Sequence, residues 1–202
     1  MNATAAIIGL VTVFVGAIAV FSALQDALNR IWNVPTDVKR SLWYTIKRRM
    51  LAFVMILVCG VTLLISFAAG AILATLRVYF QDKIITPWYL WQGLDVLLWF
   101  GFFTVLFAAI YRLLPDVEIA WKDVWIGSAI TSLLFAIGKF AISMYMAYSG
   151  TGSVFGAAGS FVVILMWTYY SWAIILYGAE LTQQYSRLHG SGIKYKIKKP
   201  EV

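Results

Sequence analysis

Cysteine, histidine and charge are all scarce in this chain. Among 202 residues there is 1 His and 1 Cys, and 12% are Asp, Glu, Lys or Arg. The lone cysteine, Cys59, forms no intrachain disulfide and lies in an apolar segment, where it reads as a small hydrophobic side chain. The lone histidine, His189, sits near the C-terminus, so no Cys/His/carboxylate cluster has metal-ligand spacing and no cofactor is expected. No nucleophile is paired with a base, which argues against an enzyme. The glycine-rich stretch 150–159 is followed by no Gly-Lys-Ser/Thr and preceded by no strand, which excludes a phosphate loop.

What fills the chain is apolar surface. It is 62% hydrophobic with a mean hydropathy of +0.83, far more than a soluble domain of this size requires. A bilayer core takes about 20 apolar residues to cross as a helix. Apolar stretches at about 5–24, 50–75, 92–114, 124–148 and 154–177 meet that length. The expected fold is all-α, a polytopic transmembrane bundle of five spans over residues 1–188 with a basic tail over 189–202. The tail is short and Gly-containing, and mobility is expected of it. Pro35 and Pro115 are expected to end the first and third helices.

The cations orient the spans. Lys39, Arg40, Lys47, Arg48 and Arg49 lie between spans one and two, and Arg187, Lys194, Lys196, Lys198 and Lys199 follow span five. The other connections carry at most Arg77 and Lys83, or Arg112 and Lys122. By the positive-inside rule the segment 33–49 and the C-terminus are cytoplasmic and the N-terminus faces outward. The net charge of +7 is thereby explained. Anionic headgroups, not nucleic acid, are the expected partners of Lys39, Arg40, Lys47, Arg48 and Arg49. An outward N-terminus with no basic n-region suggests that fuller relatives carry one more span upstream. Aromatics mark the interfaces: Trp32, Trp43, Trp121 and Trp125 on the inner side, Trp88, Trp91, Tyr145 and Tyr148 on the outer.

Two kinds of pattern lie inside the spans. Small residues recur at helical spacing, as Ala5, Gly9, Thr12, Gly16, Ala19 and Ala23 in span one and as Thr62, Ser66, Gly70 and Ala74 in span two. Such faces let helices approach closely in lipid and fit contacts within the bundle or between copies. The second pattern is polar. Lys139 lies deep in span four, on a face shared with Ser128, Ser132 and Ser143. A buried cation in lipid is costly unless paired or hydrated. Asp95, near the outer end of the antiparallel span three, is its best candidate partner: one reading is a structural ion pair or a snorkelling lysine, the other a solvated cavity or substrate path. Glu180 is placed at the inner rim level with Asp26 and Arg30, as a salt bridge or a gating group.

The most specific stretch runs from Tyr111 to Gln184. It holds Tyr-Arg-Leu-Leu-Pro115, then Trp121-Lys-Asp-Val-Trp-Ile-Gly127, then Ser153-Val-Phe-Gly-Ala-Ala-Gly-Ser160, Leu165-Met-Trp167-Thr-Tyr and Gly178-Ala-Glu-Leu181. Upstream stands Ala23-Leu-Gln-Asp-Ala-Leu-Asn29-Arg-Ile-Trp32. In this order and spacing they resemble the YihY/BrkB family of bacterial inner-membrane proteins, over nearly the whole chain. The resemblance implies six spans with both ends cytoplasmic, one helix more than is seen here. Family members are described as virulence or serum-resistance factors and as transporters, and some have carried a ribonuclease BN label. The residues argue against a ribonuclease. The leading expectation is an inner-membrane protein that moves a small solute or ion along Lys139, Asp95, Ser128, Ser132, Ser143, Asp26, Arg30 and Glu180. The alternative is a scaffold tied to envelope integrity, in which these charges only fix helix register.

Overall fold

The computed structural model describes residues 3–34, 42–81, 88–148, 156–190 and 194–195. In chain order they form α1 (Ala3–Ile31), α2 (Leu42–Gln81), α3 (Trp88–Leu113), β1 (Val117–Glu118), α4 (Trp121–Tyr148), α5 (Gly156–Leu188) and β2 (Lys194–Tyr195). All five helices are long and apolar enough to cross a bilayer. The protein is a polytopic helical membrane protein, because an unbroken helix is the way a single apolar segment satisfies its own backbone in lipid.

The helices outrun the apolar spans at several ends. α2 begins at Leu42, so the Lys47–Arg49 cluster stands on its first turns. α5 continues through Gly178-Ala-Glu-Leu to Leu188. The first helix stops before Pro35 for a local reason. Asn33 takes a left-handed φ of 51°, Asn33 N–H donates to the Arg30 carbonyl at 3.1 Å, and Val34 N–H donates to the Asn29 carbonyl at 2.9 Å. That pair of bonds caps the last carbonyls, and asparagine tolerates the left-handed turn better than most side chains.

Helices α3, α4 and α5 form the packed centre. α1 joins it through its C-terminal third, where Leu24, Leu28 and Trp32 are buried with Tyr111, Leu114, Val117 and Val124. The N-terminal half of α1 and much of α2 present Ile8, Val13, Leu64 and Phe67 outward. In a bilayer such faces meet acyl chains, not water.

Three expectations are corrected here. Trp32 is not an interface aromatic. It is fully buried, and its indole sits inside the cluster that α1 makes with α3 and α4. The glycines of the small-residue faces of α1 and α2 do not mediate close helix contacts among the described residues: a Cβ added at Gly9, Gly16 or Gly70 would meet nothing within 4 Å. Close approach occurs between α4 and α5 instead. A Cβ at Gly127 would lie 1.8 Å from Thr182 Oγ1, and one at Gly178 would lie 1.8 Å from Thr131 Oγ1. Each helix thus offers its glycine to the other's threonine, and each threonine donates back to its own helix, at 2.7 Å to the Gly127 and Gly178 carbonyls. Third, the tail is partly docked: Lys194–Tyr195 pairs antiparallel with Val117–Glu118, and Gly190 lies so close to Asp123 that a Cβ would fall 2.3 Å from its Oδ2.

Candidate functional site

The polar residues gather at two ends of the bundle, and a layer of packed aromatic side chains separates them. At one end the C-terminus of α1, the α3–α4 connection and the C-terminus of α5 are tied together. Asn29 clasps Asp116 at two points, Nδ2 donating to Oδ2 at 2.8 Å and Oδ1 accepting from the Asp116 backbone N–H at 2.9 Å. Ser186 Oγ donates to Asp123 Oδ2 at 2.9 Å. Gln183 Nε2 donates to the Ile31 carbonyl, one of the last carbonyls of α1. Arg112 donates to the Ile119 carbonyl and lies 4.6 Å from the centroid of the Trp121 ring. Loops and chain ends expected on one side of the membrane therefore meet at one end of the bundle. Buried polar groups cost several kcal/mol if left alone, so each clasp also specifies a helix pairing.

Above this knot the core closes. Tyr111 Oη donates to the Ile175 carbonyl at 2.8 Å and lies 2.9 Å from Thr131 Oγ1. Phe107 stacks near Tyr111 with ring centroids 6.4 Å apart, and Phe103 and Phe135 follow at 4.6 Å from each other.

Past the aromatic layer, α3 and α4 splay into a groove of about 500 Å³. Its wall is mostly apolar, with Trp99, Phe103, Phe135 and Phe140, and its polar members are Asp95, Ser132, Lys139 and Ser143. Lys139 Nζ lies 4.0 Å from the centroid of the Trp99 ring. Here the expected partner is replaced: the ammonium sits over an indole, and among the described residues no ion pair joins it to Asp95. The reason is axial register. Asp95 and Trp99 are one turn apart on the same face of α3, and the antiparallel register sets Lys139 level with Trp99 and Asp95 one turn beyond. A cation over an indole gains roughly 0.5–2 kcal/mol depending on desolvation.

The serine stripe divides. Ser128 and Ser132 are buried. Ser132 Oγ donates to the Ser128 carbonyl at 2.8 Å and lies 3.1 Å from Thr104 Oγ1. Ser128 Oγ has no hydrogen-bond partner among the described residues. Ser143 is exposed in the groove beside Lys139. At the opposite end Asp26 is half-buried and Arg30 is exposed, and Glu180 Oε1 accepts from Gln184 Nε2 at 3.1 Å on its own helix. Seven of the eight candidates thus fall in two groups, Asp95, Ser132, Lys139 and Ser143 at the groove and Asp26, Arg30 and Glu180 at the other end, with Ser128 buried outside the groove. Of the basic residues expected at headgroups, Lys39 and Arg40 lie outside the described residues, as do the side chains of Lys47, Arg48 and Arg49. No group of three or more His, Cys, Asp or Glu among the described residues is placed to hold a metal ion.

Sequence reasoning missed Trp99 and the Asn29–Asp116 clasp. The first had a signal, four residues from Asp95 on one helical face. The second joins residues 87 positions apart, and nothing local announces it.

Fold and site define a multi-pass helical membrane protein with one clasped end and one grooved end. A family model described as virulence factor BrkB matches residues 1–201, and the chain belongs to that family. It is 27% identical over 185 residues to a UPF0761 membrane protein of Tolumonas auensis, covering 87% of this chain and 56% of the relative. It is 28% identical over 198 residues to one of Idiomarina loihiensis, covering 96% and 63%. A Coxiella burnetii UPF0761 membrane protein is 29% identical over 163 residues, 78% of this chain and 57% of the relative. The chain spans less than two thirds of the length of these relatives. No solved structure matches it.

Proposed function

We propose that this is a transport-type protein of the bacterial inner membrane, with its C-terminus cytoplasmic and the α3–α4 groove as its working site. One observation carries the reading: Lys139 and Asp95 line a single open groove and are not spent on each other. A structural pair that merely locked two helices would be direct and dry. Two charges that share an apolar pocket cost free energy in lipid, and a ligand that compensates them recovers it. The aromatic layer and the clasp close the other end, as one side of an alternating path requires. Asp26, Arg30 and Glu180 then belong to the closed side, and a polar route through the centre needs α3 and α4 to shift.

Lys139→Met is the test. A strain lacking the protein, complemented with the full-length relative carrying this change, should show the same metabolite and membrane-lipid profile as the uncomplemented strain, with normal amounts of protein in the membrane. A profile identical to that of the unaltered relative removes the groove from the mechanism. The second reading is a scaffold for envelope integrity or serum resistance. It is favoured by Gly9, Gly16 and Gly70 on the small-residue faces of α1 and α2, where an added Cβ would meet nothing among the described residues, and such faces suit a partner helix or a second copy.

A further inference from the structure

The charges in the groove come in a fixed order. Contacts between α3 and α4 set the register: Thr104 meets Ser132, Phe103 meets Phe135, and Trp99 meets Lys139. From the Phe103–Phe135 contact to the Trp99–Lys139 contact the register moves four residues on each helix, about one turn or about 6 Å, toward the start of α3 and the end of α4. Asp95 and Ser143 come next, nearest those helix ends and therefore nearest the headgroup layer. From the membrane surface inward, the groove offers a carboxylate with a hydroxyl, then an ammonium on an indole, then aromatic walls.

We propose that this groove binds one zwitterionic glycerophospholipid with a phosphoethanolamine headgroup, its primary ammonium on Asp95, its phosphate on Lys139 and an acyl chain along Phe103, Phe135 and Phe140. This deepens the transport reading and rests on the groove being its working site. The headgroup carries its charges in the complementary order, cation outermost and anion about one turn deeper. Both protein charges are then compensated in a place where water is scarce. An anionic lipid satisfies Lys139 but brings no cation to Asp95. A choline headgroup has the right charges but no N–H to donate to the carboxylate, whereas a primary ammonium has three. Ser143 adds a hydroxyl at the level of the outer charge.

The test is photolabelling of the full chain in phosphatidylcholine nanodiscs doped with diazirine-acyl phosphatidylethanolamine, phosphatidylglycerol or phosphatidylcholine. Adducts are read by peptide mass spectrometry across residues 93–103 and 132–143. The ethanolamine probe should label these segments at least severalfold more than either of the others. Asp95→Asn should bring it down to the glycerol probe's level, Asp95→Glu should restore the preference, and Lys139→Met should lower labelling by all three probes, since each carries a phosphate. Equal labelling by the three probes of the unaltered protein overturns the proposal whatever the variants do. So does a preference for phosphatidylglycerol, or an ethanolamine preference that survives Asp95→Asn. Labelling reports occupancy and the strain profile reports movement. An ethanolamine preference with an unchanged profile in Lys139→Met would retire transport and keep the lipid site, and the reverse outcome would do the opposite.

Discussion

The two ends of this bundle use polar residues in opposite ways. At the clasped end, Asn29, Asp116, Asp123, Gln183 and Ser186 reach across sequence distances of 63 to 152 residues and find partners on other elements. At the grooved end, Asp95, Lys139 and Ser143 line a cavity, and the cation rests on a ring. Both sets lie in or beside lipid-spanning helices, where an unpaired polar group is expensive. One end resolves that cost by internal pairing and becomes a fixed joint. The other leaves Asp95 and Lys139 without an ion pair to each other among the described residues, and the site proposed above rests on that difference. Of the residues that carry the family resemblance, Asn29, Trp32, Pro115, Asp123, Gly127 and Gly178 belong to the joint and the α4–α5 crossing just above it, while Trp167 packs on Phe135 beside the groove.

The sharpest way to break the contrast is to add volume where the ends differ. Gly178→Ala drives a Cβ against Thr131 at the α4–α5 crossing and should cost about 1–3 kcal/mol. Gly70→Ala, with nothing within 4 Å, should be neutral or stabilising by about 0.5–1 kcal/mol, since alanine is the better helix former. Thermal unfolding in detergent separates the two, and equal melting temperatures would mean that the crossing is not tight. Next comes the clasp. Asn29→Ala removes two hydrogen bonds to one partly buried residue, including one to a carboxylate, and should destabilise by about 1.5–3 kcal/mol by the same assay. Asn29→Asp, which sets two carboxylates together, should do worse. At the groove, Lys139→Met should alter stability by under about 1 kcal/mol, because the ring contact is modest and methionine suits the apolar wall. A large loss of melting temperature there would make Lys139 a joint residue and erase the distinction between the ends. Smallest of all is Glu180→Gln, whose one partner among the described residues is Gln184 on the same helix. No measurable shift in unfolding is expected.

Much of this was legible before the structure. The apolar runs marked five helices, each of them long and apolar enough to cross a bilayer. Of the stripe read on span four, Lys139, Ser132 and Ser143 line the groove and Ser128 does not, while Asp95 lines it from α3. Three readings were narrowed for a common reason. Trp32 carries the composition of an interface aromatic and is buried, the glycines of α1 and α2 carry that of a packing face and meet no neighbour among the described residues, and Asp95 shares a groove with Lys139 in place of a direct ion pair. Composition says what a residue can do, and the neighbours decide what it does. A tail expected to be free is likewise held by a short ladder to β1 and by the contact of Gly190 with Asp123.

The amino-acid sequence by itself determined that the chain lives in a bilayer, how many times its helices can cross it and which ends lie together. Transfer of a segment into lipid is a sum over its own residues, so hydropathy and charge need no partner to act. Only the tertiary structure decided that glycine meets threonine between α4 and α5, that Asn29 holds Asp116, and that an indole lies beneath Lys139. Those outcomes depend on the rotation and register of each helix against another. In lipid these are set by close packing and by the search of every buried polar group for a mate, terms that exist only between segments.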